Sequence, residues 1–367
     1  MQIELSLFSI LDILTASTAL MLGLLFFTIK SENRKANIFL GLFLWSIAIQ
    51  LINGIVFEYY EEEDIETTFY ILDPILFILL FLFFYLNTTI NQSINKWYYL
   101  LFIPGIIQNI LINSSVLREI EERFEDFILL FYFFEILLLI YVFKILKNHK
   151  KRISNFYSEL EFKSLSWLKS ILIAILLFHL ILIVEGITGV EEAENELWEG
   201  IFQISAISLL FFTVYWIGYN GFSQPELFKQ YLFQREDIDP KLETKEEDSS
   251  NELQEKFNKI QTIISEEKLY TDSKLNLRTL SIALDIKEKE LSKMINQCTE
   301  SNFYQFINNF RVLEFKRLLQ SPKAKQLSIL GLSQEAGFSS KSTFYSTFKN
   351  AEGMTPKQYE LSLKKSE

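Results

Sequence analysis

Apolar positions run almost unbroken through the first 219 residues and become periodic only after about residue 250. Seven stretches stand out: Leu5–Ile29, Ala36–Phe57, Phe69–Leu86, Trp97–Ile112, Phe127–Leu146, Leu165–Ile187 and Leu197–Tyr219. Each is bounded by a polar or charged cluster. A helix needs ~20 apolar residues to cross a bilayer core. The fourth stretch is short and holds Pro104, Gly105, Gln108 and Asn109, a break that neighbouring helices can satisfy. A soluble helix would show an apolar stripe beside a charged face; Phe77–Tyr85 and Phe131–Phe134 show no charged face. The pattern predicts an all-α chain whose residues 1–219 form a seven-helix transmembrane bundle.

Residues 220–265 read as a cytoplasmic linker. Asp237–Pro240 and Glu243–Ser250 are polar and acidic. From Asn251 a helical pattern resumes, with Leu253, Phe257, Ile260 and Ile264 at spacings of four, three and four. This seam suits either a dimerising signalling helix or a single amphipathic helix packed on the domain that follows.

Residues 266–367 carry a different pattern, in two copies. Leu280, Leu284, Ile286, Leu291, Met294 and Ile295 form two short apolar faces broken at Asp285–Lys287, where Asp tolerates the left-handed backbone of a tight turn. Two short helices so joined make a helix-turn-helix. Its second helix would expose Lys287, Lys289, Ser292, Lys293 and Asn296. In the second copy, Ile329, Leu332 and Ala336 precede a turn at Gly337–Ser340. A helix Lys341–Asn350 then buries Phe344 and Phe348 and exposes Lys341, Ser342, Thr343, Tyr345, Ser346 and Lys349. Such a helix fits the major groove, where these side chains reach phosphates and base edges. Between the copies, Phe303–Leu319 is a longer helix carrying Arg311, Lys316 and Arg317.

Charge sharpens this division. The chain as a whole carries −11, which alone would argue against nucleic acid. Residues 266–367, however, hold 16 Lys/Arg against 12 Asp/Glu, a net +4 that leaves −15 on the remainder. A basic tail on an acidic body suits a polyanion-binding module. Loop charges set the orientation. Lys30, Arg34 and Lys35, then Lys96, then Lys147, Lys150, Lys151 and Arg152 mark the odd loops. Glu58, Glu61, Glu62, Glu63 and Asp64, then Glu191, Glu192, Glu194 and Glu196, mark the second and sixth. The expected topology puts the N-terminus outside and the tail in the cytoplasm, where DNA lies. The first stretch lacks a basic n-region and is long enough to span, so a retained helix rather than a cleaved signal peptide is expected. A lone Cys298 forms no intrachain disulfide, in keeping with a reducing compartment.

The tail resembles the AraC family. Ala336-Gly337-Phe338-Ser339-Ser340-Lys341-Ser342-Thr343-Phe344, Phe348-Lys349 and Gly353-Met354-Thr355-Pro356-Lys357-Gln358-Tyr359 are similar to its signature. The segments from Leu277-Arg278-Thr279-Leu280 to Arg311-Val312-Leu313-Glu314-Phe315-Lys316-Arg317-Leu318-Leu319 are similar to its first unit. The resemblance covers about a hundred residues and none of the bundle. It implies a domain of about seven helices that sets two recognition helices in successive major grooves of double-stranded DNA. It assigns contacts to Lys289, Ser292 and Lys293 in the first unit and to Ser342, Thr343 and Ser346 in the second. Ser346 stands where the family often carries a long basic residue, which shortens its reach to bases.

The combination implies a DNA-binding transcription regulator, multi-pass in a bacterial inner membrane, with the lipid bilayer and DNA as partners and a homodimer as a further expectation. An unidentified small-molecule or peptide signal would act through the bundle. Ionisable groups at membrane depth carry functional suspicion; Glu135, His179 and Glu185 are the candidates for sensing, with Asp73 near a span end. No enzyme is expected, since GxSxG, HExxH and Gly-rich phosphate loops are all missing. Two histidines in the whole chain argue against a histidine-built metal site, and no cofactor is expected. The competing reading is a receptor-like membrane protein whose tail binds a protein partner rather than DNA.

Overall fold

The computed structural model describes residues 7–30, 33–62, 72–91, 94–112, 121–160, 163–188, 196–222 and 250–366, all of them helices and connecting turns apart from one isolated bridge. They group into two compact units, residues 1–145 with 167–233, and residues 146–166 with 234–367.

The first unit contains α1 (Leu7–Thr28), α2 (Arg34–Glu62), α3 (Ile75–Asn91), α4 (Ile103–Ile112), the first part of α5 (Glu121–Ile153), α6 (Trp167–Thr188) and α7 (Glu196–Phe222). α2 packs between α1 and α3, and α7 packs on α1 and α6. α1 and α2 approach closely because Gly41 has no side chain. A Cβ there would lie 2.4 Å from the Phe27 ring and 3.0 Å from the Gly23 carbonyl oxygen. Small residues at such a crossing let the two backbones meet closely. Trp45 Nε1 closes the same crossing by donating to the Leu20 carbonyl at 3.1 Å.

Three helices among the described residues are long and apolar enough to cross a membrane: Phe8–Thr28, Arg34–Val56 and Gly200–Gly221, of 21, 23 and 22 residues. Ile75–Ile90 and Trp167–Ile181 are apolar but shorter. The expectation of seven therefore reduces to three by length and composition. The fourth stretch differs most: it is a 3-10 segment, Lys96–Phe102, followed by the ten-residue α4. Pro104 lacks an amide hydrogen and is tolerated in a first helical turn but not inside a longer helix, so α4 starts at that point. Asp73, beside this break, is satisfied: its carboxylate accepts from Gln108 Nε2 at 2.8 Å and from the Ile75 amide at 3.0 Å.

The second unit holds α8 (Ser250–Glu266), α9 (Leu277–Ala283), α10 (Glu288–Thr299), α11 (Phe303–Leu319), α12 (Ile329–Glu335), α13 (Lys341–Glu352) and α14 (Pro356–Ser366). Four of these helices start at a side-chain cap. Asn276 with Thr279 and Asn302 with Gln305 form reciprocal capping boxes, while Ser328 and Ser340 cap α12 and α13. Two cores form. Phe257, Ile260 and Ile264 of α8 join Leu280, Leu291, Met294, Ile295 and Phe306 in the first. Phe315, Leu332, Phe338, Phe344 and Phe348 build the second. The α8 seam is thus spent inside its own domain, and Cys298 lies half-buried against the same core.

Residues 146–166 belong to this unit although residues 167–233 of the other unit separate them from the rest of it. Ile153, Tyr157 and Leu160 bury together, with Phe156 and Tyr304 against them. Tyr157 bridges to Asn276, the Leu277 amide donates to the Phe156 carbonyl at 2.8 Å, and the Tyr304 amide donates to the Ser154 carbonyl at 2.9 Å. The segment is a strap tied to both the first helix-turn-helix and α11.

Candidate nucleic-acid interface

Each helix-turn-helix turn takes the geometry that its sequence allows. Asp285 has φ 51°, the left-handed region expected of it. Gly337 has φ 100°, and a Cβ on it would lie 2.4 Å from the Tyr270 carbonyl oxygen. Only glycine meets both demands at that position.

The two turns leave α10 and α13 with one face in the cores and one in solvent. On α10, Lys289, Lys293 and Asn296 are exposed, as is Lys287 at its N-cap, and Ser292 is half-buried. On α13, Lys341, Ser342, Ser346 and Lys349 are exposed, Tyr345 is half-buried and Thr343 is buried. Several basic residues elsewhere in the unit are ion-paired: Lys268 and Arg317 with Glu314, Lys316 with Glu352, Lys323 with Glu335, and Lys357 with Glu360. Among the described residues Lys287, Lys289, Lys293, Lys341 and Lys349 have no such pair. Their charge stays available to an anion, Lys341 additionally lying over the Tyr345 ring at 5.7 Å. Glu288 and Glu290, in the first turn of α10, offset part of that charge while suiting the helix dipole.

Thr343 has another partner. Its hydroxyl donates to Glu159 Oε1 at 2.9 Å, and Ser339 Oγ donates to Glu159 Oε2 at 2.6 Å. The strap therefore holds a carboxylate at the start of α13. Beneath it, Arg311 is fully buried on α11. Its Nε donates to the Tyr270 carbonyl at 2.8 Å and its Nη2 to the Asp272 carbonyl at 2.8 Å. Nη2 also donates to Ser158 Oγ at 3.0 Å, and Nη1 to the Ser158 carbonyl at 3.2 Å and Asn308 Oδ1 at 3.1 Å. Burial lowers its pKa to about 10, opposed by Glu159 and Asp272, so it stays charged at neutral pH. One guanidinium thus joins the strap to the backbone that leads into the first helix-turn-helix. Glu314 is held below the usual carboxylate range, chiefly by its hydrogen bond from Arg317.

Residues 280–361 match the family model of a helix-turn-helix domain. The matched segment spans both units of the helix-turn-helix domain, from within α9 into α14, and covers under a quarter of the chain. No curated protein and no solved structure matches the chain. The match supports DNA-binding transcription regulation of the AraC type by this segment, the matched model being that of a DNA-binding regulatory domain.

In the first unit, Glu135 on α5 and His179 on α6 meet. His179 Nε2 contacts Glu135 Oε2 at 2.5 Å, while Nδ1 lies 2.8 Å from the Ile175 carbonyl. A carbonyl only accepts, so Nδ1 carries a hydrogen, and the Nε2–Oε2 contact needs a second proton. The pair is then either imidazolium with carboxylate or imidazole with carboxylic acid, neutral overall both ways. A cavity of about 60 Å³ adjoins it, walled by Ile47, Leu79, Phe178 and Thr213. That is room for a water-sized occupant and far below a drug-sized site. The side chain of Glu185 lies outside the described residues. The sequence reading missed Ser158, Glu159 and the role of Arg311. The signal for the last was its place four residues after Ile307 and four before Phe315, on a buried face.

Proposed function

We propose that the chain is a membrane-anchored transcription regulator whose AraC-type helix-turn-helix domain binds double-stranded DNA sequence-specifically. The observation that carries this is the pair of solvent-facing helices, α10 and α13, each bearing lysines without ion pairs in a segment that matches a helix-turn-helix family. Lys287, Lys289 and Lys293 with Lys341 and Lys349 supply phosphate contacts, and Ser292, Asn296, Ser342, Tyr345 and Ser346 supply the groove-facing surface.

An inner-membrane location, with the N-terminus outside and the helix-turn-helix domain in the cytoplasm, is part of the same proposal. It is supported by the three long apolar helices and by how the first unit is turned out. Ile10, Met21, Leu24, Phe133, Ile140 and Ile204 are exposed, while Thr15, Ser46, Asn53 and Glu135 are buried. Large apolar side chains on the outside beside an ionisable group inside suit a lipid surround, around a core that also holds Phe43, Phe83 and Phe84. Signal response would originate in this unit, with the Glu135–His179 pair as the candidate sensing position.

The test is genome-wide DNA pull-down of the tagged full-length protein beside its Lys293→Ala/Lys349→Ala version. Discrete peaks lost in the double variant support the proposal. Equal peaks in both would remove the role given to the lysines, and capture of protein without DNA would move the tail to protein recognition.

A further inference from the structure

Next to α13 the second unit has an open cleft of about 910 Å³. One wall is the exposed face of α13, where Ser342, Ser346 and Asn350 recur at intervals of four. The other is the end of α5, where Lys147, Lys150 and Lys151 lie at i, i+3 and i+4 and so on one helix face. Hydroxyls and side-chain amides of α11 complete it, and among the described residues no carboxylate lines it. We infer that this cleft is a phosphate-binding extension of the DNA interface, in which Lys147, Lys150 and Lys151 of the strap grip the sugar–phosphate strand bordering the groove that α13 enters.

The chemistry narrows the ligand to a polyanion. Like charges at i,i+3 and i,i+4 repel, and none of the three lysines is ion-paired among the described residues. The C-terminal end of α5 favours cations through its dipole, which eases the repulsion without neutralising it. A bound anion would. A cytoplasmic loop needs basic residues only somewhere in its length to orient a protein in a membrane. Nothing in that requirement sets three of them on one helix face across an open cleft from a recognition helix. The opposite wall decides between polyanions: a lipid headgroup would leave Ser342, Ser346 and Asn350 unexplained, whereas duplex DNA uses both walls. The strap is also held firmly enough to position the lysines, since Ser154 and Ser158 are bonded to Tyr304, Asn308 and Arg311.

This inference rests on the DNA-binding reading above, and one experiment separates the two. Full-length protein in neutral detergent is titrated against a fluorescein-labelled 30-base-pair duplex of mixed sequence over a range of salt concentrations. The wild type is compared with Lys147→Ala/Lys150→Ala/Lys151→Ala and with the corresponding triple Arg variant. For the Ala variant the expected result is a fall of about 2–3 in the slope of log K against log salt, at ~0.9 for each phosphate no longer neutralised, with weaker binding at low salt. The Arg variant keeps the wild-type slope. A wild type that binds beside an Ala variant of unchanged slope and affinity overturns the inference alone. If that variant instead loses retention on phosphatidylglycerol vesicles, the lysines belong to a lipid surface and the inference is overturned. Tighter binding by the Ala variant also overturns it, making the strap a cover over α13. A wild type that fails to bind the duplex removes the DNA-binding reading, and the inference with it.

Discussion

Arg311 donates to both oxygens of Ser158, the carbonyl at 3.2 Å and the hydroxyl at 3.0 Å, across 153 positions of chain. The same guanidinium holds the Tyr270 and Asp272 carbonyls, which lie in the approach to α9. The strap therefore shares its anchor with the first helix-turn-helix, and through Glu159 it reaches the second. A displacement of the end of α5 would act on both recognition helices through this joint.

Arg311→Lys tests the joint. An ammonium cannot span the five acceptors that the planar guanidinium reaches, so buried carbonyls lose their donors. Each orphaned group costs about 1–3 kcal/mol, and a loss of about 2–4 kcal/mol in local stability is expected. Hydrogen exchange reads it directly: the Ser158 and Leu277 amides, bonded to Leu275 and Phe156, should exchange at least tenfold faster. Unchanged exchange at both amides would show that the strap is held by its apolar contacts instead.

Glu159→Gln probes the contact on α13. The wild-type carboxylate accepts from Ser339 and Thr343 and sets a negative charge at a recognition helix that must approach phosphates. Removing one like charge at about 4 Å in water is worth about 1 kcal/mol, so about fivefold tighter binding to a mixed-sequence duplex at low salt is expected. Equal or weaker binding would mean that the carboxylate positions α13 more than it repels DNA.

The helix-turn-helix units were legible because their determinants are local. Asp285 and Gly337 mark turns that need left-handed backbone, and the apolar faces of α9, α10, α12 and α13 repeat within a dozen residues. The strap was not legible, because its bonds join residues more than a hundred positions apart and Lys147–Arg152 already had a reading in loop topology. The fourth span failed for a different reason. Hydropathy registers the apolar content of Trp97–Ile112 but does not show that Pro104 begins a new helix there. The α8 seam was ambiguous in principle, since a/d spacing is the same whether the partner is a second copy or the domain's own core.

That ambiguity gives a third prediction. Ile260 is buried at 4% exposure among Phe257, Ile264 and the α10 side chains. An aspartate there places an unpaired charge in the core, a loss of several kcal/mol. Ile260→Asp should abolish protease protection of α9 and α10, while Lys259→Asp, on the exposed face, should leave it intact. Protection retained in Ile260→Asp together with a changed oligomeric state would return the seam to a dimer interface.

His149 sets the pH range over which the strap stays in place. Its ring is buried, and Nε2 lies 3.1 Å from the Lys163 carbonyl, which closes the strap on itself. Burial, reinforced by Arg152 and opposed by the Lys163 contact, lowers its pKa from 6.5 to about 4. Between those values the unfolded strap binds a proton that the folded strap refuses, so stability falls as pH falls. The slope is up to about 1.4 kcal/mol per pH unit, with full stability regained above the unfolded value. Local exchange across residues 149–163, corrected for the intrinsic rate, should therefore accelerate between pH 6.5 and pH 4. His149→Gln keeps a donor for the Lys163 carbonyl but does not titrate, and should flatten that dependence. An equal acid sensitivity in the variant would assign it to carboxylates such as Glu314, whose lowered pKa also removes stability on acidification but at lower pH.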